Sequence, residues 1–112
     1  MSEYLNEISA FVADTNYADL PSEATDRGRR VIADSIAAIA SGSAEPEVVA
    51  LLDRMVKSDG PSSIIGTNRS SDPATTAFLN GTAGTFLELD EGNQFSRGHP
   101  GIHALPSALA VA

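Results

Sequence analysis

A short stretch near the end of the sequence holds most of the side chains that could do chemistry. Within the fourteen residues 90–103 lie eight polar side chains able to move a proton or bind a ligand: Asp90, Glu91, Asn93, Gln94, Ser96, Arg97, His99 and His103. The stretch has no hydrophobic period and contains three glycines, so it is predicted to be an ordered loop. Loops on a rigid scaffold commonly carry catalytic groups. The alternative is a solvated loop whose Asp and Asn side chains cap helices.

The residue types in this loop favour acid–base chemistry. His99 can transfer a proton near neutral pH, and Asp90 can orient it or share the proton. Arg97 can hold a carboxylate through two parallel hydrogen bonds, and Asn93 and Glu91 are further predicted substrate contacts. This set suits abstraction of a proton next to a carboxylate, followed by elimination or by return of the proton to the other face. The alternative for Arg97 is an ion pair with Glu91 or Asp90.

Other chemistries lack their motifs. Asp90, Glu91, His99 and His103 are possible metal ligands, and the two histidines have the spacing of a helical pair. Pro100 lies between them, so a regular helix there is not expected, and the sequence predicts no metal site. The chain has no HExxH, GxSxG, GxGxxG or phosphate-binding loop motif, and it contains no cysteine.

Composition limits the classes of protein to which the chain can belong. It has 112 residues, 15 acidic and 7 basic side chains, and a net charge of −8. This length fits one domain or part of one. The acidic balance argues against nucleic acid and anionic lipid as partners, since both are bound mainly by lysine and arginine. The beginning of the chain lacks the basic segment of a secretory signal, and no uncharged run has the ~18 residues of a membrane span. We therefore expect a cytoplasmic protein.

Hydrophobic periodicity and capping residues predict an all-α fold. Five helices are expected, over residues 2–15, 21–42, 45–58, 72–89 and 104–112, with a short extended segment at 62–66. Asp72 and Pro73 give the fourth helix a strong start signal, and Pro106 is expected in the first turn of the last helix. Two glycines inside the fourth helix, Gly81 and Gly84, predict a compensating bend or tight packing.

The second predicted helix is rich in small residues. Its segment 33–42 reads ADSIAAIASG, and small side chains let a neighbouring helix approach closely. The helix is therefore predicted to be central, with Gly42 as its stop signal. Asp34 lies inside this segment, either at the edge of the buried face or, as the less favoured alternative, in a catalytic role.

The last predicted helix is apolar and uncapped. Residues 104–112 contain no charge, no capping glycine and no polar tail. A natural terminus rarely ends on a bare apolar half-helix. Residues 1–112 are therefore expected to form a partial N-terminal helical domain of a longer protein, whose remainder would be a partner of this chain.

The motifs, taken in order, resemble the start of the MmgE/PrpD family. This family includes 2-methylcitrate dehydratase, cis-aconitate decarboxylase and iminodisuccinate epimerase. Residues 33–42 are similar to its LDxxGxxxAG helix, and residues 77–83 to its AAxxNGxxAH helix. The matching segments, in family order, are 11–12, 17–21, 33–42, 77–83, 89–91, 99–101 and 106–110.

The resemblance implies a large helical domain beside a smaller α+β domain, usually in a homodimer. It implies an enzyme that acts on small di- or tricarboxylates without a metal or organic cofactor. By position, Asp90 and His99 fall on the family's active-site loop, while Glu91 replaces the second Asp of the usual pair. Gly84 stands where many members carry a polar residue. The loop is more similar to the epimerase-like branch than to the methylcitrate dehydratases, and the family's catalytic Lys and further His residues would lie beyond Ala112.

A second class of function is a non-enzymatic helical interaction module. It would dock a partner through the alanine-rich face of residues 36–42 or through residues 105–112. A module of this kind is expected to fold stably by itself. The enzyme hypothesis instead expects an exposed apolar surface on these 112 residues.

Overall fold

The computed structural model describes residues 3–95 and 97–112, and within them the fold is mostly helical. A 3₁₀ turn at Tyr17–Asp19 separates the first two helices. The α-helices of the described residues are α1 (Glu3–Asp14), α2 (Ser22–Gly42), α3 (Pro46–Met55), α4 (Pro73–Phe86) and α5 (Pro100–Val111). Two short strands, β1 (Ser62–Ser63) and β2 (Ser70–Ser71), pair antiparallel with Ser62 opposite Ser71. The all-α prediction is confirmed.

Helix α4 is the hub of the core, because α2, α3 and α5 all pack against it. The buried core side chains come from all four helices and from the segment after β1: Ile39, Val48, Leu52, Ile64, Leu79, Ala83 and Ile102. The sequence predicted a central α2, and this holds for its C-terminal half, where Ser35, Ala38 and Ile39 are buried. Its N-terminal half is largely exposed. That half is therefore available to neighbouring loops.

Glycines allow the helices of the core to approach closely. A Cβ built at Gly84 would lie 2.3 Å from Cδ1 of Ile102 and 3.0 Å from Cγ1 of Ile39. Gly84 thus lies where α2, α4 and α5 meet. This tight packing offsets the cost of a glycine inside α4, as one of the two predicted alternatives.

A buried amide connects the strand pair to α4. Asn80 is 1% exposed, its Oδ1 accepts the N–H of Ile65 at 3.0 Å, and its Nδ2 donates to the carbonyl of Ser63 at 3.3 Å. These two bonds give hydrogen-bond partners to backbone groups that are partly buried. Asn80 therefore fixes the segment around β1 on the central helix.

The start of α4 is capped as the sequence predicted. Oδ1 of Asp72 accepts the N–H groups of Ala74 at 3.1 Å and Thr75 at 3.0 Å. Hydrogen bonds from the Thr75 side chain, and then from its backbone, hold the pKa of Asp72 below its ordinary value of 3.8. A carboxyl whose pKa is lower in the folded state stabilises the fold above the unfolded pKa, and this contribution is lost as pH falls through the folded pKa.

We therefore expect an acid-dependent difference between wild type and Asp72→Asn. Asparagine still caps the helix but does not titrate. The free energy of unfolding of the wild type should fall more steeply below about pH 4 than that of the variant. Urea denaturation between pH 2 and 6 measures both curves, and parallel curves would contradict the proposed effect of the cap.

The two ends of the loop after α4 differ from the prediction. Helix α4 ends at Phe86 rather than residue 89, because Glu88 has a φ of 54° and turns the chain into the left-handed region. Helix α5 begins at Pro100 rather than residue 104, so Pro106 lies inside it. The expectation that no helix joins His99 to His103 was wrong, since the N–H of His103 donates to the His99 carbonyl at 3.4 Å. Proline at the first helical position needs no N–H partner, which permits this start.

Helix α1 buries none of its residues. Its apolar side chains Leu5, Ile8, Phe11 and Val12 are between 42% and 71% exposed. They form one stripe at helical spacing, as the sequence predicted, but the stripe covers no part of the core.

None of the helices in residues 3–95 and 97–112 has both the length and the apolar character of a membrane span. Helices α2 and α3 have the length and apolar composition of a span only when they are counted together, and the two are bent by 87° at the break between them.

Candidate active site at the start of helix α5

The loop between α4 and α5 brings a buried carboxylate against an imidazole. Oδ2 of Asp90 lies 3.1 Å from Nδ1 of His99. The Asp90 side chain is 3% exposed, whereas that of His99 is 45% exposed. Nδ1 itself has no solvent access and, within the described residues, no aligned hydrogen bond, so the contact is a close electrostatic one. The exposed part of the side chain therefore lies away from Nδ1.

This arrangement suits proton transfer. A carboxylate beside Nδ1 favours the tautomer that keeps the proton there, which leaves Nε2 as a base. The same carboxylate stabilises the imidazolium that forms when Nε2 accepts a proton. The structure thus brings together the two residues that the sequence selected as catalytic. Their roles stay predictions.

Local backbone signals place both residues. The left-handed Glu88 reverses the chain two residues before Asp90. His99 is the residue before the first turn of α5 and has an extended φ of −120°. Pro100 then starts the helix, so the imidazole is held at a helix N-terminus.

Glu91 fixes the start of α5 from outside the helix. Its Oε1 accepts the N–H of Gly101 at 2.5 Å, which places a negative charge at the positive end of the helix dipole. Its Oε2 is buried without a hydrogen-bond partner in the described part of the chain. A Cβ at Gly101 would lie 2.7 Å from Cγ1 of Val31 and 2.9 Å from Oε1 of Glu91, so a larger residue there would displace these side chains. Glu91 thus has a positioning role, and its substrate contact stays a prediction.

Asn93 and Arg97 belong to a tight turn that sits between the two catalytic candidates in the sequence. The N–H of Asn93 donates to the carbonyl of Gly98 at 2.8 Å, and the N–H of Arg97 donates to the carbonyl of Asn93 at 2.8 Å. Oδ1 of Asn93 accepts the N–H of Phe95 at 2.9 Å. Arg97 is exposed with a φ of 51°, and its guanidinium forms no ion pair with Glu91 or Asp90. Ser96 lies outside the described residues.

Two arginines that the sequence analysis did not select border this loop. Arg27 and Val31 of α2 line a groove of about 480 Å³ whose other wall runs from Glu91 to Phe95 and includes Pro100 and Gly101. A smaller groove of about 280 Å³ adjoins it and is lined by Arg27, Arg30, Asp34 and the Glu91–Gly92 segment. The spacing of the arginines is visible in the sequence, but the approach of α2 to the loop is not.

The other predicted candidates lie apart from the pair. Asp34 is exposed on α2 and reaches only the smaller groove. His103 is exposed on α5 and lines a different, open cleft against α4. In the part of the chain that is described, no group of three or more His, Asp or Glu side chains is placed to hold a metal ion.

Comparison with known proteins identifies the family. The family model described as "MmgE/PrpD N-terminal domain" matches residues 6–112. The chain belongs to the MmgE/PrpD family. Two of the segments that carried the sequence resemblance, 89–91 and 99–101, lie at the two ends of the loop described above.

A curated relative of this MmgE/PrpD chain is the "cis-aconitate decarboxylase-like protein oryM" of Aspergillus oryzae (strain ATCC 42149 / RIB 40). The two are 30% identical over 108 residues, which cover 95% of this chain and 22% of the relative. The chain thus spans about a fifth of the relative's length. No solved structure matches it.

Proposed function

We propose that this chain is the N-terminal part of a cofactor-independent enzyme that removes a proton α to a carboxylate of a small di- or tricarboxylate. The observation that carries the proposal is the contact of 3.1 Å between the buried Asp90 and the half-exposed His99. Family membership and the relative named as cis-aconitate decarboxylase-like support the substrate class. The enzyme is a lyase or an epimerase, and the family resemblance suggests a homodimer.

In the proposed reaction, Nε2 of His99 takes the proton from the carbon next to the carboxylate. The electron pair of the broken C–H bond passes into the carboxylate as an enediolate, and Asp90 stabilises the imidazolium. The intermediate then expels a leaving group from the β-carbon, or it is reprotonated on the opposite face by an acid from the rest of the enzyme. Imidazole and carboxylate suffice for the first step, so the proposal requires neither a metal nor an organic cofactor.

Proton exchange in heavy water tests the proposed function. The complete protein is incubated in D₂O with a panel that includes cis-aconitate, citrate, 2-methylcitrate and iminodisuccinate, and proton NMR follows each α-hydrogen. We expect deuterium to enter one of these acids, with or without loss of water. If the complete protein neither exchanges the α-hydrogens of these acids nor converts any of the acids, a non-enzymatic helical module becomes the better hypothesis.

A further inference from the structure

Two guanidinium groups on α2 have no carboxylate partner in the described part of the chain. Arg27 and Arg30 are three residues apart and therefore share a helix face. Their neighbour Arg29 is used differently, because it pairs with Asp26 at 3.0 Å and donates to the Tyr17 hydroxyl at 3.1 Å. Of the 7 basic side chains, only Arg29 and Arg69 form ion pairs within the described residues.

Both arginines face the grooves that run along the candidate site. The walls opposite them contain Glu91, which directly follows Asp90, and the larger groove also contains Pro100, which directly follows His99. Gly92 and Gly101 add no side chain to these walls, so the space beside the arginines stays open. The larger groove, at about 480 Å³, has the size of small-molecule sites.

The carboxylates in the grooves do not neutralise the arginines. Glu91 directs Oε1 to the N–H of Gly101, where the dipole of α5 offsets part of its charge. Asp34 lines only the smaller groove and is exposed on α2, and it lies beyond ion-pair distance of Arg30. Guanidinium groups bind carboxylates in a two-pronged geometry, so an unpaired pair of arginines beside an open groove is suited to an anionic ligand.

We propose that Arg27 and Arg30 form a subsite for a carboxylate of the substrate that is remote from the reacting carbon. Arg27 lines both grooves and contacts the ligand in the larger groove. Arg30 contacts the same ligand from the smaller groove. The identity of the ligand as a di- or tricarboxylate rests on the proposed function. The subsite assigns a binding role to α2, on which the sequence offered only Asp34 as a less favoured candidate.

Kinetics of matched arginine variants test the subsite. In the complete protein, Arg27→Gln and Arg30→Gln are each expected to raise KM about tenfold, because a charged hydrogen bond to the substrate is lost. The kcat should change less than about threefold, since a remote carboxylate is bound equally in the ground and transition states. Arg29→Gln removes the same charge from the same helix turn and should leave KM unchanged.

Direct binding separates this proposal from the proposed function. Tricarballylate, a tricarboxylate without a leaving group, is titrated into the complete protein and its Kd is measured by calorimetry. We expect Arg27→Gln and Arg30→Gln to weaken binding about tenfold and Arg29→Gln to leave it unchanged. This readout holds even if no acid is turned over, in which case the proposed function fails and the subsite stands.

Two results would overturn the subsite. Unchanged KM and Kd in the double variant Arg27→Gln/Arg30→Gln would show that the arginines do not touch the ligand. A lowered melting temperature with unchanged Kd would show that they only offset the charges of Glu91 and Asp34. In both cases the exchange experiment in D₂O still decides the reaction.

Discussion

Replacing His99 with alanine in the complete protein is expected to lower kcat by a factor of about 10²–10⁴, the usual contribution of a positioned acid–base group. The variant loses the imidazole whose Nδ1 lies 3.1 Å from Asp90 and whose side chain is 45% exposed. The fold should survive, because the His99 side chain makes no capping hydrogen bond to α5 and is 45% exposed. Steady-state kinetics with the accepted acid, together with a thermal melt, measures both properties.

His103→Ala is the matched control for this experiment. His103 is the other histidine of the chain, lies one turn further along α5 and is exposed. Its variant should keep kcat within about twofold, since the side chain faces a different cleft from the catalytic pair. Equal losses in the two variants, or full activity in His99→Ala, would place the base elsewhere in the enzyme.

Gly42→Ala is expected to lower the free energy of unfolding by about 2–3 kcal/mol, as overpacking of a tight contact does. A Cβ at this position would lie 2.0 Å from the carbonyl oxygen of Ala83 and 2.9 Å from its carbon. Both atoms belong to the backbone of α4, so a side-chain rotation cannot relieve the collision and α2 must move away from α4. Urea denaturation of this chain measures the loss.

Gly28→Ala provides the opposite result within the same helix. Gly28 lies in the exposed half of α2, and a Cβ there meets nothing within 4 Å. Alanine should therefore stabilise the chain by about 0.5–1 kcal/mol through its better helix propensity. If both alanine variants stabilised the chain, helix propensity would outweigh the contact between α2 and α4, and a loss in Gly28→Ala would contradict the propensity argument.

Local signals explain which parts of the fold the sequence predicted. Asp72 and Pro73 mark the start of α4 because the capping bonds involve only the next three residues. The start of α5 was placed four residues late, since Gly101 looks like a loop residue in isolation. The space around Gly101 is limited by the side chains of Val31 and Glu91, and only the tertiary fold brings these side chains to it. Pro106 was likewise assigned to a first turn, but it lies buried inside α5.

The candidate site shows the same division between local and tertiary information. The residue types of Asp90 and His99 singled them out, and the turn closed by the backbone pair of Asn93 and Gly98 brings them together. Glu91 was predicted to touch substrate, yet its observed contact is with the N–H of Gly101. Arg27 could not be selected from the sequence, because only the packing of α2 against the core brings it beside a loop more than sixty residues away.

The absence of any buried residue in α1 has a thermodynamic consequence. An isolated helix of 12 residues is only marginally stable in water, so α1 should gain and lose its hydrogen bonds independently of the core. The enthalpy absorbed when this chain is melted in a calorimeter therefore belongs to the unit that begins with α2. Dividing that heat by all 112 residues would underestimate how strongly each residue of the core is held.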